Sequence, residues 1–145
     1  MARAWMFPVV FVVCGAFGAT VLAVTGAFGT AVPLFVMFVL FAALNSPLAF
    51  PRSISAAEAE RRSAADGRPI VYWRTGCTYC LRLRIRLGRG ARRAHWVDIR
   101  RDPAGAAAVR AANGGDETVP TVVVTGRPHT NPDPGWVRTQ LPPPA

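Results

Sequence analysis

Residues 4–51 contain no Asp, Glu, Lys, Arg or His, an uncharged run of 48 positions. A bilayer core is crossed by about 20 apolar helical residues, so the run is long enough for two spans and a turn. Gly26 and Gly29 in Thr25-Gly26-Ala27-Phe28-Gly29-Thr30 mark the turn, which sets the spans at 4–24 and 31–50. The apolar core of a secretory signal is only about 7–15 residues, too short to account for this run. Pro8 and Pro33 fall near the two helix starts, where a missing N–H does least harm. Gly15, Ala19 and Ala23 recur every four residues, a stripe where another helix can approach closely; Phe35, Phe38 and Phe41 supply bulk on the second span. The stripe also has a plainer source, the Ala-rich composition. Cys14 in this setting is a small apolar filler, and Trp5 beside Arg3 suits a headgroup region.

Arg3 precedes the run, Arg52, Arg61 and Arg62 follow it, and the turn carries no charge. The positive-inside tendency then places both ends in the cytoplasm, as a two-span protein of the cell membrane. Of the 17 basic residues, all arginine, 16 lie after position 51 with all 8 acidic ones, which leaves that part at +8. Such a charge suits anionic lipid, an acidic thiol or nucleic acid. No nucleic-acid motif or aromatic platform accompanies it, so no nucleic-acid partner is expected, and attraction to headgroups is the simpler use. Three cysteines, one of them in the apolar run, do not make a disulfide scaffold.

Reactive chemistry concentrates in Arg74-Thr75-Gly76-Cys77-Thr78-Tyr79-Cys80. The run Ile70-Val71-Tyr72-Trp73 before it, bounded by Gly67 and Pro69, reads as a buried strand, and the residues after it have helical spacing. A cysteine at a helix N-terminus meets unpaired N–H groups and the positive end of the macrodipole, which stabilise the thiolate, the attacking form. Cys77 gains most from this. Cys80 lies one turn deeper on the same side, placed to attack a mixed disulfide formed on Cys77. Taken alone, the spacing also suits half a zinc site, a soft-metal site or a structural disulfide. The further ligands a zinc ion needs would have to come from Cys14, His95 and His129, one in the apolar run and two isolated from each other, so no metal is assigned.

Downstream stand Thr118-Val119-Pro120-Thr121 and then Val122-Val123-Val124. Together with Val71-Tyr72-Trp73, Cys77-Thr78-Tyr79-Cys80, Asn113-Gly114-Gly115 and Asn131-Pro132, these make residues 68–140 resemble a glutaredoxin, and within that family the mycoredoxin branch of actinobacteria. The resemblance implies a thioredoxin-like α/β fold, with the Val119-Pro120 bond cis and set against the cysteines. Without it, Pro120 is a proline at a strand start. One departure is plain. Where relatives that use glutathione carry Gly-Gly and an acidic residue, after the strand that follows T-V-P, this chain has Arg127-Pro128-His129-Thr130-Asn131-Pro132. That leaves mycothiol or direct protein dithiols more open. Gly76 stands where many relatives have a bulky residue or proline, which implies a looser site.

The chain divides on these grounds into an apolar hairpin at 1–50, a juxtamembrane helix and linker at 51–67, and the glutaredoxin-like domain at 68–145. Ser55-Ala56-Ala57-Glu58 is a capping box for a short polar spacer helix to about Ala65, stopped by Gly67. After the motif, Leu81, Leu83, Ile85 and Leu87 alternate with Arg82, Arg84 and Arg86 at the strand period. Yet Arg82, Arg86, Arg89 and Arg93 also share one helical face, with only Arg84 toward the apolar side, and helix is the expectation. These arginines read first as a solvated face, and otherwise as a source of positive potential for the thiolate and for acidic thiols. Strands are expected at 69–73, 94–99 and 120–125, with His95, which lacks an evident partner carboxylate, as a strand residue. Asp102-Pro103 and Asp133-Pro134 open two further helices, the last burying Val137 and Leu141. His129 falls in a surface loop, and 141–145 is a frayed polyproline-like end.

The resemblance implies a thiol–disulfide oxidoreductase with Cys77 and Cys80 catalytic. Arg74 would assist the thiolate, and Tyr79, Val119 and Pro120 would shape the substrate groove. It holds no tightly bound cofactor and uses mycothiol or glutathione as cosubstrate. Its partners are protein disulfides or mixed disulfides, and the membrane. Two other functions fit the motif: an extracytoplasmic disulfide oxidase, which needs the opposite topology, and a metal or iron–sulfur module using Cys77.

Overall fold

The computed structural model describes residues 2–44 and 50–143, without the side chains of 2–5 and 7. It divides into two compact units, Met1–Phe50 and Pro51–Ala145.

The first unit is a helical hairpin of α1 (Ala2–Val24) and α2 (Phe28–Leu44). Gly26, at φ 83°, makes the reversal that a side chain would resist. The helices close where α1 has no side chain: a Cβ on Gly15 would lie 2.5 Å from Phe38 Cβ, and one on Gly18 would lie 3.2 Å from Leu34. Phe11 packs its ring on Phe38 and Phe41. The close approach thus falls at Gly15 and Gly18, where the sequence pattern had put Gly15, Ala19 and Ala23.

Among the described residues no helix is long and apolar enough to cross a membrane. Of the second expected span, 31–50, the described residues show helix α2 at Phe28–Leu44, 17 residues. At 1.5 Å per residue that is about 25 Å, against a hydrocarbon core about 30 Å thick. Positions 45–49, the side chains of Arg3 and Trp5, and the last two residues of the tail lie outside the described residues.

The second unit is a four-stranded sheet in the order β2-β1-β3-β4. Strand β1 is Ile70–Trp73, β2 His95–Asp98, β3 Thr121–Val124 and β4 Arg127–Thr130. β1 and β2 run parallel, with Tyr72 opposite Val97; β1–β3 and β3–β4 are antiparallel. Parallel neighbours need a crossover, which is α4 (Thr78–Leu87) and a 3-10 turn at Gly88–Arg93. Helix wins over the strand alternation because Cys80, Leu83 and Leu87 fall together on the buried side while Arg82, Ile85 and Arg86 face out. Half-buried Arg84 donates from Nη1 to Gly88 O (2.9 Å).

Strand β4 was not expected. Its sequence, Arg-Pro-His-Thr, has a proline and little β-branched character. It forms because Thr125 and Gly126, at φ 47° and 77°, make a tight two-residue hairpin that lays it against β3. Pro128 is tolerated because β4 is an edge strand. His129 is accordingly half-buried, its ring 4.4 Å from that of Trp136, and not a surface loop residue.

Helix α3 (Ala56–Asp66), expected as a spacer, is built into the domain. Ala56 and Ala59 are buried. Ile54 N–H donates to Trp96 O (2.9 Å), and Trp73 Nε1–H donates to Ser53 Oγ (2.9 Å). At its far end His95 Nε2 meets the Asp66 carboxylate at 3.0 Å, the partner that sequence adjacency hides. Asp102 joins α3 to α5 (Pro103–Ala112): Oδ1 accepts from Ala104 N–H and Gly105 N–H (3.0 and 3.2 Å), and Oδ2 accepts from Ala56 N–H. Gly105 is required there, since a Cβ would come within 2.8 Å of Val97 Cγ1. The last helix, α6 (Pro134–Thr139), is capped by Asp133 and buries Val137.

Asp102 is therefore both an N-cap and a tie to α3. Asp102→Ala should cost about 2 kcal/mol, from a lost cap and a part-buried N–H left unpaired. Denaturant unfolding followed by tryptophan fluorescence measures it; Asp102→Asn, which keeps an acceptor oxygen, should lose less.

Candidate functional site

Cys77 is the N-cap of α4, with extended φ and ψ of −88° and 112°. Gly76 precedes it at φ 81°, and a Cβ there would meet nothing within 4 Å. Glycine is thus present for the backbone reversal from β1 into α4, not for looseness. Cys77 Sγ accepts from Cys80 N–H at 3.2 Å. It also lies 3.3 Å from Val119 O, which accepts from Cys77 when the thiol is protonated. The Val119–Pro120 bond is cis, as the resemblance implies.

The two sulfurs have opposite electrostatics. Cys77 is brought down to about 6, first by the Cys80 thiol donating to it, with further help from the N–H groups of Cys80 and Tyr79 and the charge of Arg74; burial opposes this. Cys80, at 0% exposure, is pushed up, because its proton is held on the Cys77 sulfur and because it is desolvated. At neutral pH the pair is Cys77 thiolate and Cys80 thiol.

A cleft of about 500 Å³ opens over Cys77. Arg74, Gly76, Thr78 and Tyr79 form one side, and Asp116, Glu117, Thr118 and Val119 the other. Tyr79 is 57% exposed, while Pro120 is fully buried behind Val119. The N–H of Val119 has no backbone partner among the described residues. The sequence singled out neither Asp116 nor Glu117, because a loop carboxylate carries no local signal until β3 brings it opposite Cys77. Thr121 Oγ1, bonded to Thr118 O (2.8 Å) and to Asn113 Nδ2 (3.2 Å), fixes that loop. A larger apolar groove, about 690 Å³, lies between α3 and α5 over Ile70 and Tyr72, and neither cysteine lines it. Cys14 is on α1, in the other unit. Among the described residues no three His, Cys, Asp or Glu side chains cluster as metal ligands do.

Residues 70–129 match the glutaredoxin family model. Two Mycobacterium tuberculosis proteins, from two strains and each named "Putative glutaredoxin", are 39% identical over 72 residues, which is 49% of this chain and 86% of theirs. The chain belongs to the glutaredoxin family. It is a thiol–disulfide oxidoreductase. Glutaredoxins act on protein disulfides or mixed disulfides with a low-molecular-weight thiol as cosubstrate and no tightly bound cofactor. The match leaves residues 1–69 outside it, the hairpin and α3 included.

The Cys77 thiolate fraction should govern alkylation. The rate with iodoacetamide should rise with pH through a midpoint near 6 and level off above it. Cys80→Ala removes the largest cause of the depression, so its midpoint should move up toward the ordinary thiol range. A folded-state pKa lowered from 9 also stabilises the fold at high pH, and that contribution is lost as pH falls through about 6.

Proposed function

We propose that the protein is a membrane-anchored glutaredoxin that reduces protein disulfides, or mixed disulfides between proteins and a low-molecular-weight thiol, on the cytoplasmic face. The observation that carries the redox role is the asymmetric pair: an accessible thiolate at the α4 N-terminus with a buried thiol one turn behind it.

Cys77 thiolate attacks one sulfur of R–S–S–R′. A Cys77–S–S–R bond forms, and R′–S⁻ leaves and takes a proton. The charge that held the Cys80 proton is now consumed, so Cys80 ionises more readily, attacks Cys77 Sγ and expels R–S⁻. The Cys77–Cys80 disulfide is reduced by two molecules of low-molecular-weight thiol, which become its disulfide. Alternatively, one such thiol attacks the Cys77–S–S–R bond directly. Arg74 raises the thiolate population, and the substrate lies between Tyr79 and Val119. The unpaired Val119 N–H suits an extended substrate segment added as a strand.

The cosubstrate is mycothiol or glutathione. The Arg127–Asn131 segment forms β4 and its end, in place of the Gly-Gly and acidic residue of glutathione users, and favours testing mycothiol first.

Anchoring is supported by the hairpin surface. Val9, Val10 and Val12 on α1, and Val36, Met37 and Val39 on α2, are all exposed, on several sides of both helices. A helix pair that is apolar all round is matched to lipid and not to water. Arg52, Arg61 and Arg62 after the hairpin support the cytoplasmic side.

Turnover of a mixed-disulfide peptide, with mycothiol and with glutathione, tests the chemistry. Cys77→Ser should abolish it; Cys80→Ser should retain part of it by the single-cysteine route. Full activity in Cys77→Ser refutes the assignment. For topology, reporter fusions at residue 145 and near Gly26 should report opposite sides of the membrane. A C-terminal fusion active only outside the cytoplasm would favour the oxidase function instead, and visible cluster absorbance of the pure protein would favour the iron–sulfur one.

A further inference from the structure

The ion pairs of the domain are unevenly placed. Arg61, Arg62, Arg68, Arg101 and Arg110 each pair with a carboxylate. Among the described residues Arg52, Arg74, Arg100 and Arg127 do not, and neither do any of Arg82, Arg84, Arg86, Arg89, Arg92, Arg93 and Arg138, which gather on α4, its 3-10 turn and α6. For the arginines at 82–93 the reason is in the chain: no Asp or Glu stands between Asp66 and Asp98. Arg84, Arg93 and Arg138 turn to backbone oxygens of Gly88, Pro142 and Arg86. The bond from Arg138 to Arg86 O brings α6 alongside the outer face of α4. Arg82, Arg86, Arg89, Arg92 and Arg138 are all exposed, with no acid among them.

Ile85 sits in the middle of this face and is 59% exposed. At 100° per residue, Arg82, Ile85 and Arg86 fall within one stripe of α4, and Tyr79 borders it; Gly88, at φ 55°, ends α4, and exposed Arg89 follows in the 3-10 turn. Salt-bridge-laced surface helices alternate both signs of charge, whereas this face carries arginine alone around Ile85. Unpaired arginines around an exposed aliphatic side chain are the composition of a helix that lies on a lipid surface. The guanidinium groups meet lipid phosphates while the apolar side chain enters the acyl boundary.

We propose that the outer face of α4, centred on Ile85 and flanked by Arg82, Arg86, Arg89 and Arg138, docks on an anionic bilayer surface. This rests on the membrane attachment proposed above, which supplies the surface. Docking by this face brings the Cys77 cleft, two turns along the same helix, close to the headgroups. The substrates that fit are then disulfides in the membrane-proximal segments of other membrane proteins.

The test uses the full chain reconstituted in vesicles of phosphatidylcholine alone, or of phosphatidylcholine and phosphatidylglycerol in equal parts. Flotation reads attachment. Arginine modification by phenylglyoxal, read by mass spectrometry, reports the face, with Arg110 and Arg127 as internal controls. Modification of Arg82, Arg86 and Arg89 should be about fivefold slower on the anionic vesicles than on the neutral ones, with the controls unchanged. The Arg82→Glu/Arg86→Glu variant should float equally well but lose the protection at Arg89. Ile85→Ser should weaken the protection without altering charge. Flotation with equal modification on both vesicle types overturns the docking face and leaves attachment standing. If the protein fails to float with neutral vesicles, the anchor is refuted. Binding to anionic vesicles that the Arg82→Glu/Arg86→Glu variant loses then still supports the face, and no binding overturns it. Equal protection by soluble duplex DNA would replace lipid with a general polyanion and overturn the proposal.

Discussion

The N–H of Cys80 points at the sulfur of Cys77 across 3.2 Å, and the reactivity of the domain follows from keeping that contact. A thiolate is stabilised only where donors converge on it without filling its open side. β1 delivers the chain to the right place, Gly76 reverses it, and α4 begins at the cysteine itself. Antiparallel β3 brings the Val119 carbonyl against the same sulfur from the opposite direction. Donors on one side and a carbonyl on the other leave a cleft between, and a disulfide entering it meets the sulfur along the one direction still open.

Cys80 is as necessary to that balance as Cys77. Its burial and its donated proton separate two chemically identical groups into an attacking thiolate and a reserve thiol. The separation lasts only while Cys77 carries charge. Forming a mixed disulfide on Cys77 removes the charge, so the first step of the reaction prepares the second.

The domain and the hairpin solve different solvation problems. The domain buries a small core under four helices and carries its charge outward. The hairpin is only two helices thick, so it can bury one side of each and must expose the rest. At about 25 cal/mol for each Å² of apolar surface left in water, exposure on this scale is costly. Lipid removes that cost, which is why the same feature that weakens a soluble protein supports an anchored one. α3 follows the hairpin in sequence and belongs to the domain, tied to α5 by Asp102 and to the sheet by the Ser53–Trp96 bridge and the His95–Asp66 contact.

Much of this was legible from local pattern. The helix caps at Ser55, Asp102 and Asp133 were, because capping chemistry is carried by one side chain and its next three residues. β1, β2, β3 and the two-helix hairpin were, because hydrophobic period and a glycine turn announce them. The cysteine pair was, because its spacing and its place before a helix are both in the chain. β4 was not: four unpromising residues became a strand only because β3 offered an edge. The docking of α3, the His95–Asp66 contact and the Asp116–Glu117 rim were not either, since each joins residues far apart in sequence. Sequence by itself thus determined which groups can react and which segments can order locally. The tertiary structure decided which of them meet, since a sulfur, a carbonyl and a carboxylate from separate segments share a site only once the sheet pairs.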